Sequence, residues 1–481
     1  MSLVEPIHEP RHLPAGWSTS EEGDLFLAEA ATIGERLLEK RILARNGSFS
    51  WIGPAGYGTE VYPLRIVKLG PYLYDGTAGI ALFLAALERV VGGGRYGEMA
   101  LQAIRPLRRK MSELIADPER GHQLRMPIGG LIGIGSLIYS FLKIGEWLGD
   151  SSLSQEAHDL TIFITPERIA LDERVRIQTG SAGAILALLA LNACHPEPNR
   201  DGRTPLAIAE DCASHLLAQR IAYEDLPRAW RLSPGKPPLA DFGYGAAGIA
   251  YALLRLQGVN QNSEVRKAAE EGFAFVDALY SPEHRSWRDI RADFETHFQG
   301  PELGTWRDWW ASGAEDVMSQ LESRSKNPEA AEAQKVRESF PSSWCHGSAG
   351  IALGRLAVRD LLDRTESWEA VTGALQSLRR IMEAPSFAEQ GAHDLCCGHF
   401  GRIEVLLEAS RRLQAPDLLA TARSLAVRVA LRAQEVGRYE LSAARGSGEY
   451  SPALFQGEAG IGYTLLRLAR PESLPCLLLL E

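Results

Sequence analysis

The stretch YDGTAGIALFLAAL, residues 74–87, decides how the rest of the chain is read. Two glycines three positions apart lead directly into an apolar run of helical length. Glycine weakens helix interiors, so its place at the head of such a run points to backbones that must crowd together there. The pattern returns as GGLIGIGSLIYSFL from Gly129, TGSAGAILALLAL from Thr179, FGYGAAGIAYALLRL from Phe242, WCHGSAGIALGRLAV from Trp344, CCGHFGRIEVLLEA from Cys396 and FQGEAGIGYTLLRLA from Phe455. Marked by Gly79, Gly133, Gly183, Gly248, Gly350, Gly401 and Gly460, the repeats lie roughly 50–65 residues apart, with one gap of about a hundred before Gly350. A repeat of that length is a helical hairpin with its connections. The run after each motif is apolar nearly all round, the mark of a buried helix. Between the motifs lie more charged amphipathic segments, such as residues 29–41 and 156–164, suited to an outer layer. The expected fold is all-α: an α/α toroid of seven inner and seven outer helices, with the glycine loops gathered at one end around a central cavity.

Composition narrows the function. The chain has 481 residues, 45% hydrophobic and 23% charged, which is the make-up of a folded protein rather than a disordered one. A net charge of −10 argues against nucleic acid or an anionic membrane as the main partner, and the basic run 105–110 reads as a solvated face. No apolar stretch reaches the ~18 residues of a membrane span. The N-terminus lacks the charged-then-apolar pattern of a signal peptide, so a cytoplasmic protein is expected. Residues 1–20 read as a flexible leader and 21–481 as the repeat domain. SFSWIG (48–53) and VYPLRIVKLG (61–70) are the strand candidates, as a hairpin. The long gap holds an insertion at 289–340, whose TWRDWW brings Trp306, Trp309 and Trp310 together either as a partner or peptide contact or as packing on the barrel wall.

Six cysteines are too few for a disulfide framework in a chain this long. Cys194, Cys212 and Cys476 sit in apolar or loop contexts and read as structural. Cys345 opens one glycine motif, and Cys396 and Cys397 open the next. Equivalent positions of adjacent repeats are neighbours in a toroid, so the three thiols should converge at one rim. Three protein ligands with an open fourth position is the arrangement of a catalytic zinc, and an all-sulfur set suits zinc over magnesium or calcium. The alternatives are a closed four-ligand site using His346 or His399, and three buried cysteines that meet by chance.

The motif series LYDGTAGIALFLA, GGLIGIGSLIYSF, SWCHGSAGI, LCCG-x-FGR and FQGEAGIGYTLLRLARPESLPCLLLLE resembles the cyclase domain of class II lanthipeptide synthetases (LanM), itself homologous to the stand-alone LanC cyclases. The resemblance runs from about residue 21 to the end. It implies an α/α toroid with Zn2+ held by Cys345, Cys396 and Cys397. It also implies a reaction in which a peptide cysteine adds to a dehydroalanine or dehydrobutyrine of the same peptide, forming a (methyl)lanthionine thioether. The partner implied is a dehydrated precursor peptide; since the chain has no room for a dehydratase domain, it reads either as an isolated cyclase domain or as a free-standing protein whose partner is a separate dehydratase/kinase-like chain.

Two positions depart from the family pattern. Where members carry F-x-His-Gly, this chain has Phe242-Gly243-Tyr244-Gly245, so Tyr244 takes the place of a candidate acid/base histidine. Where many carry an aspartate before the third motif, this chain has Arg176, with Asp172 one helical turn earlier. A phenol donates to an enolate but is a poor base at neutral pH. His346 and His399 are further candidates for proton donation or for supporting the ligands. Asp75 faces the cavity or caps its helix. A second reading is therefore a catalytically reduced zinc-binding homologue that binds precursor peptide or scaffolds a partner. A third, an α/α-toroid glycosidase, requires a pair of cavity carboxylates, and no such pair stands out at the motif ends.

Overall fold

The fold is described from a computed structural model, over residues 18–45, 47–55, 65–123, 126–231, 236–290, 340–362, 365–442 and 449–481. Fourteen helices of the described residues build it. They are α1 (Thr19–Glu39), α2 (Thr77–Val91), α3 (Arg95–Ala116), α4 (Ile134–Leu148), α5 (Ser151–Asp159), α6 (Ser181–Asn192) and α7 (Pro205–Ala218). The second half adds α8 (Ala246–Asn260), α9 (Ser263–Ala278), α10 (Ser348–Ala357), α11 (Thr365–Glu383), α12 (His399–Leu413), α13 (Pro416–Val436) and α14 (Glu458–Ala469). The even-numbered helices form the inner ring. Each packs on the next, and α14 returns to α2, so the ring closes. The odd-numbered helices form the outer ring: α3 lies on α2, α5 on α4, α7 on α6, α9 on α8, α11 on α10, α13 on α12, and α1 on α14. The result is an α/α toroid of seven inner and seven outer helices.

Sequence explains the two layers. α2 is buried continuously from Thr77 to Leu87, whereas α3 buries Tyr96, Ala100, Ala103, Ile104, Met111 and Leu114, a stripe at helical spacing. The layers also start differently. Four of the outer helices are capped by side chains: Ser18, Asp150, Thr204 and Asn262 each accept from a first-turn N–H, whereas α3 and α13 start at Gly94 and Ala415 without such a bond. Inner helices are capped by glycine, at Gly76, Gly133, Gly180, Gly245, Gly347, Gly398 and Gly457, with no side-chain bond. Their first N–H instead donates to a carbonyl seven residues back, as Thr77 to Gly70 (2.9 Å), Ala246 to Leu239 (2.8 Å), Ser348 to Pro341 (3.0 Å) and His399 to Ala392 (3.0 Å). This doubles the loop tightly back on the helix. A Cβ at Gly79 would lie 2.1 Å from the Leu73 carbonyl oxygen, and one at Gly350 would lie 1.9 Å from that of Trp344, which is why the second glycine recurs.

Three details differ from expectation. In the second repeat Ile134 N donates to Pro127 O (2.8 Å), so Gly133 matches the capping glycine Gly76 and Ser136 stands where Gly79 does. The run GGLIGIG satisfies the glycine spacing in more than one frame, and only the loop's hydrogen bonds choose between them. In the third repeat Asp172 replaces the backbone acceptor, its Oδ2 receiving Ser181 N at 2.6 Å and Ser181 Oγ at 2.7 Å. Asp172 is thus a cap. α1 begins at Thr19 with a capping box on Ser18 and Glu21, slightly inside the stretch read as leader.

The expected hairpin forms from β3 (Ile52–Ala55) and β4 (Arg65–Lys68), paired antiparallel. It follows a smaller one of β1 (Ile42–Leu43) and β2 (Phe49–Ser50). Two further hairpins join outer helices to the next loops, β5 (Ile221–Tyr223) with β6 (Leu226–Ala229) and β7 (Tyr280–Ser281) with β8 (Ser286–Trp287). Residues 1–17 of the leader, and Trp306, Trp309 and Trp310 of the insertion, lie outside the described residues. No helix among the described residues is long and apolar enough to cross a membrane. The barrel interior is filled by residues 474–480. Tyr139, Tyr251 and Tyr463 donate to the carbonyls of Glu481 (2.8 Å), Leu479 (3.0 Å) and Pro475 (2.8 Å).

Candidate metal centre

Numbering each loop from its capping glycine shows how the site is assembled. The residues one and two positions before that glycine include Tyr74 and Asp75, Gln178, Tyr244, Cys345 and His346, and Cys396 and Cys397. Four positions before it stand Arg176, Asp241, Ser343 and Asp394. One loop design, repeated around a ring, brings these side chains to a common rim. Backbone bonds join the loops: Tyr74 N donates to Leu131 O (3.0 Å), Phe455 N to Tyr74 O (2.9 Å), Cys396 N to Phe455 O (2.8 Å) and Gly243 N to Cys345 O (3.1 Å).

The three thiols meet. Cys345 and Cys397 sulfurs lie 3.5 Å apart, Cys396 and Cys397 sulfurs 3.6 Å, and all three fall within 4.8 Å of one another. Among the described residues this is the one cluster of such groups. Neither histidine belongs to it, so the donor set is three sulfurs. Hydrogen bonds from Cys396 and Cys397 pull the Cys345 thiol well below its ordinary value. Burial pushes Cys396 up, and the bond to Cys345 pushes Cys397 up. One thiol is thus favoured as the anion over the other two, because three thiolates this close repel. A soft divalent cation is what would let all three ionise, and zinc fits that donor set.

The surroundings hold the sulfurs in place. Tyr74, unforeseen in the sequence, donates its hydroxyl to Cys396 Sγ at 3.0 Å. Burial, followed by the charge of Cys396, keeps its phenol far above its ordinary pKa, so it remains a donor. Asp394 is wholly buried and accepts Cys397 N (3.0 Å) and Ser442 N (2.7 Å). The Arg402 guanidinium donates to the carbonyls of Cys397 (3.1 Å) and Gly398 (2.8 Å) and reaches Ser342 Oγ (3.2 Å), tying one cysteine loop to the other.

Beside Cys345 stands a column of polar side chains. His346 Nδ1 lies 2.5 Å from Asp241 Oδ2, a pairing across 105 residues. The His346 ring stacks on Tyr244, with centroids 4.4 Å apart and planes 3° from parallel. The Arg176 guanidinium carbon lies 4.8 Å from the centre of the Tyr244 ring. The two departures from the family pattern are therefore neighbours. Burial, then the charges of Cys396 and Cys345, raise the Tyr244 phenol well above its ordinary pKa, while Arg176 and a hydrogen bond with Gln178 pull the other way. Burial thus favours the neutral phenol at Tyr244.

The other candidates fall elsewhere. His399 is the first residue of α12, past the capping glycine, and packs on Phe387 (4.4 Å) and His393 (5.4 Å). Burial first, then Arg402 and His393, lower its pKa to about 3, so it stays neutral. Asp75 is buried with its Oδ1 unpartnered among the described residues, and burial raises its pKa to about 8. The cap of α2 is Gly76, without a side-chain bond. Cys212 and Cys476 are buried and Cys194 is exposed.

The family "Lanthionine synthetase C-like protein" matches residues 68–479. No curated protein sequence matches the chain. Among solved structures, "Nisin cyclase" superposes with a TM-score of 0.53 at 15% identity, covering 83% of this chain and 89% of that one, which is a likeness of fold. A "sugar epimerase from ruminal bacterium" gives a TM-score of 0.39 at 12% identity, covering 92% and 98%.

Proposed function

The chain belongs to the lanthionine synthetase C-like family, and on that premise we propose that it is a zinc-dependent cyclase that closes thioether rings in a dehydrated peptide. The observation that carries the reading is the open set of three converging sulfurs beside a buried donor column. The reaction is an isomerisation. The substrate sulfur bonds to Cβ of a dehydroalanine or dehydrobutyrine, the alkene electrons move through Cα onto the carbonyl as an enolate, and a proton returns to Cα. A cysteine with pKa near ~8.5 is only ~3% thiolate at pH 7. Zinc held by Cys345, Cys396 and Cys397 would deprotonate the substrate thiol and leave it beside the alkene, where effective molarity lowers the barrier by several kcal/mol.

The chain's own residues handle the rest. Arg176 and Tyr244 bring a buried cation and a hydroxyl donor to the rim, suited to the developing enolate oxygen. Asp241 accepts from His346 Nδ1–H, which fixes the tautomer and leaves Nε2 as the atom for proton exchange with Cα. In this reading Tyr244 and His346 are the acid candidates. Asp75 and His399 shape the surroundings. The protein works in the cytoplasm on a dehydrated precursor peptide, as a class II type cyclase.

The test uses a synthetic peptide carrying one dehydroalanine and one cysteine. Ring closure leaves its mass unchanged but removes the thiol, so alkylation with N-ethylmaleimide should stop labelling it once zinc-loaded protein is added. Stoichiometric zinc and peptide binding with the thiol still reactive would instead select a binding homologue, the outcome that the Tyr244 and Arg176 departures favour.

A further inference from the structure

A second concave site lies on the outer wall, between the two N-terminal hairpins and α3. It is a cavity of about 590 Å³ whose walls include Ile42, Leu43, Phe49, Leu69, Pro106 and Leu107, and no acidic residue lines it. Three of its lining residues are apolar and exposed: Ile42 is 49% accessible, Leu43 64% and Ile52 44%. Exposed aliphatic residues gathered round a cavity mark a binding surface, whereas scattered ones do not. The charge around it is basic in a chain whose net charge is −10. Lys68 lines the cleft, and the Arg41 guanidinium lies 5.8 Å from the Phe49 ring centre. Exposed Arg105 precedes Pro106, and its guanidinium reaches the β1–β2 turn, where a Cβ on Gly47 would meet it at 3.7 Å. The inner wall is formed by Gly70, Pro71 and Thr77, which bracket Tyr74 and its contact with Cys396.

We propose that this cleft is a docking site for an acidic segment of the peptide substrate, one carrying aliphatic side chains and lying outside the residues that form the rings. Apolar side chains fill the cavity, and carboxylates meet Lys68 and the flanking arginines. Docking there raises the local concentration of the reacting part of the same peptide at the rim. The inference rests on the cyclase reading for the identity of the peptide. An anionic membrane is the other ligand of basic-apolar chemistry, but a concave site in an acidic protein favours a peptide.

The probe is a short fluorescein-labelled peptide of Glu, Leu and Ser with no cysteine, compared by anisotropy with its Lys-for-Glu counterpart. Vesicles of phosphatidylglycerol in phosphatidylcholine are tested alongside. The acidic peptide should bind at least tenfold more tightly than the basic one. Lys68→Glu and Leu43→Asp, both on exposed side chains, should each weaken it at least tenfold without changing the melting temperature. Binding should persist in Cys345→Ala, because the cleft lies outside the thiol cluster. Binding of both peptides alike, indifference to both substitutions, or vesicle binding that Lys68→Glu abolishes while the peptide stays unbound would each overturn the proposal. Ring closure that succeeds while the probe fails to bind sinks the cleft alone. Specific binding without ring closure sinks the cyclase reading and leaves the cleft.

Discussion

The two ends of the inner ring use buried polar groups in opposite ways. Where the helices begin, some buried polar side chains are left short of partners. Asp75 Oδ1 has no partner among the described residues, the three close sulfurs pull one thiol's pKa down and push the other two up, and burial raises the phenols of Tyr74 and Tyr244. Where the helices end, charge is matched several times over. Arg467 is 1% exposed and pairs with Glu404 and with Glu408 (2.9 Å), and Arg411 and Arg412 add to Glu408. Arg255 and Arg412 both hold the Glu481 carboxylate, at 2.9 and 2.8 Å. Burial pushes the Glu408 carboxyl up, but Arg411, Arg467 and Arg412 outweigh it and bring it down to about 2. The tail end is therefore built to hold the ring shut and the loop end to react. Incomplete satisfaction costs stability, and one end of the fold carries that cost.

The largest effect that would break this contrast is at the thiols. Cys345→Ala should reduce bound zinc below stoichiometry by atomic absorption and lower ring closure by about 10³-fold or more, with the fold retained by circular dichroism. Retention of both metal and rate would mean the three sulfurs are packing. Next, at the tail end, Arg467→Met leaves Glu404 and Glu408 buried without their shared cation and should lower the unfolding free energy by about 3–5 kcal/mol in urea titration. Folded Arg467→Met protein should still take up zinc, and a loss of zinc affinity would show the two ends to be coupled.

Tyr244→Phe should slow ring closure by roughly 10²-fold at unchanged zinc content, in the range of a general acid. An unchanged rate would move that role to His346 or to water. Asp75 sharpens the contrast through pH. Its pKa is raised to about 8 in the folded chain from an ordinary value near ~4, so the folded state holds more protons between those limits. Its stabilising contribution is full below ~4 and is lost as pH rises to 8. Asp75→Asn should remove about 3–4 kcal/mol of that decline between pH 5 and pH 8, read as a flatter urea midpoint against pH. A wild-type slope kept intact in Asp75→Asn would place the titration elsewhere. The smallest effect is Tyr74→Phe. Losing one hydrogen bond to Cys396 should weaken zinc binding only about tenfold by competition with a chelator, with a shifted cobalt–thiolate absorption band. An unshifted band would mean that the hydroxyl does not touch the sulfur.

Most of the fold was legible because it is local and repeated. A glycine motif followed by an all-round apolar run states an inner helix wherever it occurs, and seven occurrences state the ring. The thiols were legible for the same reason, since residues at equivalent positions of adjacent repeats must be neighbours. Asp241, Tyr74 and Gln178 were missed although they stand in the same frame as the cysteines, four, two and two positions before a capping glycine. Reading every repeat at those positions would have found them. The outer cleft was missed because Arg105 and its neighbours read as a plain solvated face until the hairpins lay across them.

By itself the sequence determined the helices, their two layers, the crowded loops and the three sulfurs brought to one rim, because each follows from periodicity and small residues within some fifty positions. Only the tertiary structure decided which polar side chains face one another. Tyr74 meets Cys396 across 322 residues and Asp241 meets His346 across 105, and Arg176 lies against Tyr244. Those pairings depend on where the ring closes and on how each loop turns over its helix. Both are set by backbone bonds between loops and by the packing of α14 on α2. Contacts of that range leave no period in the chain, so they exist only once the last repeat has come round to the first.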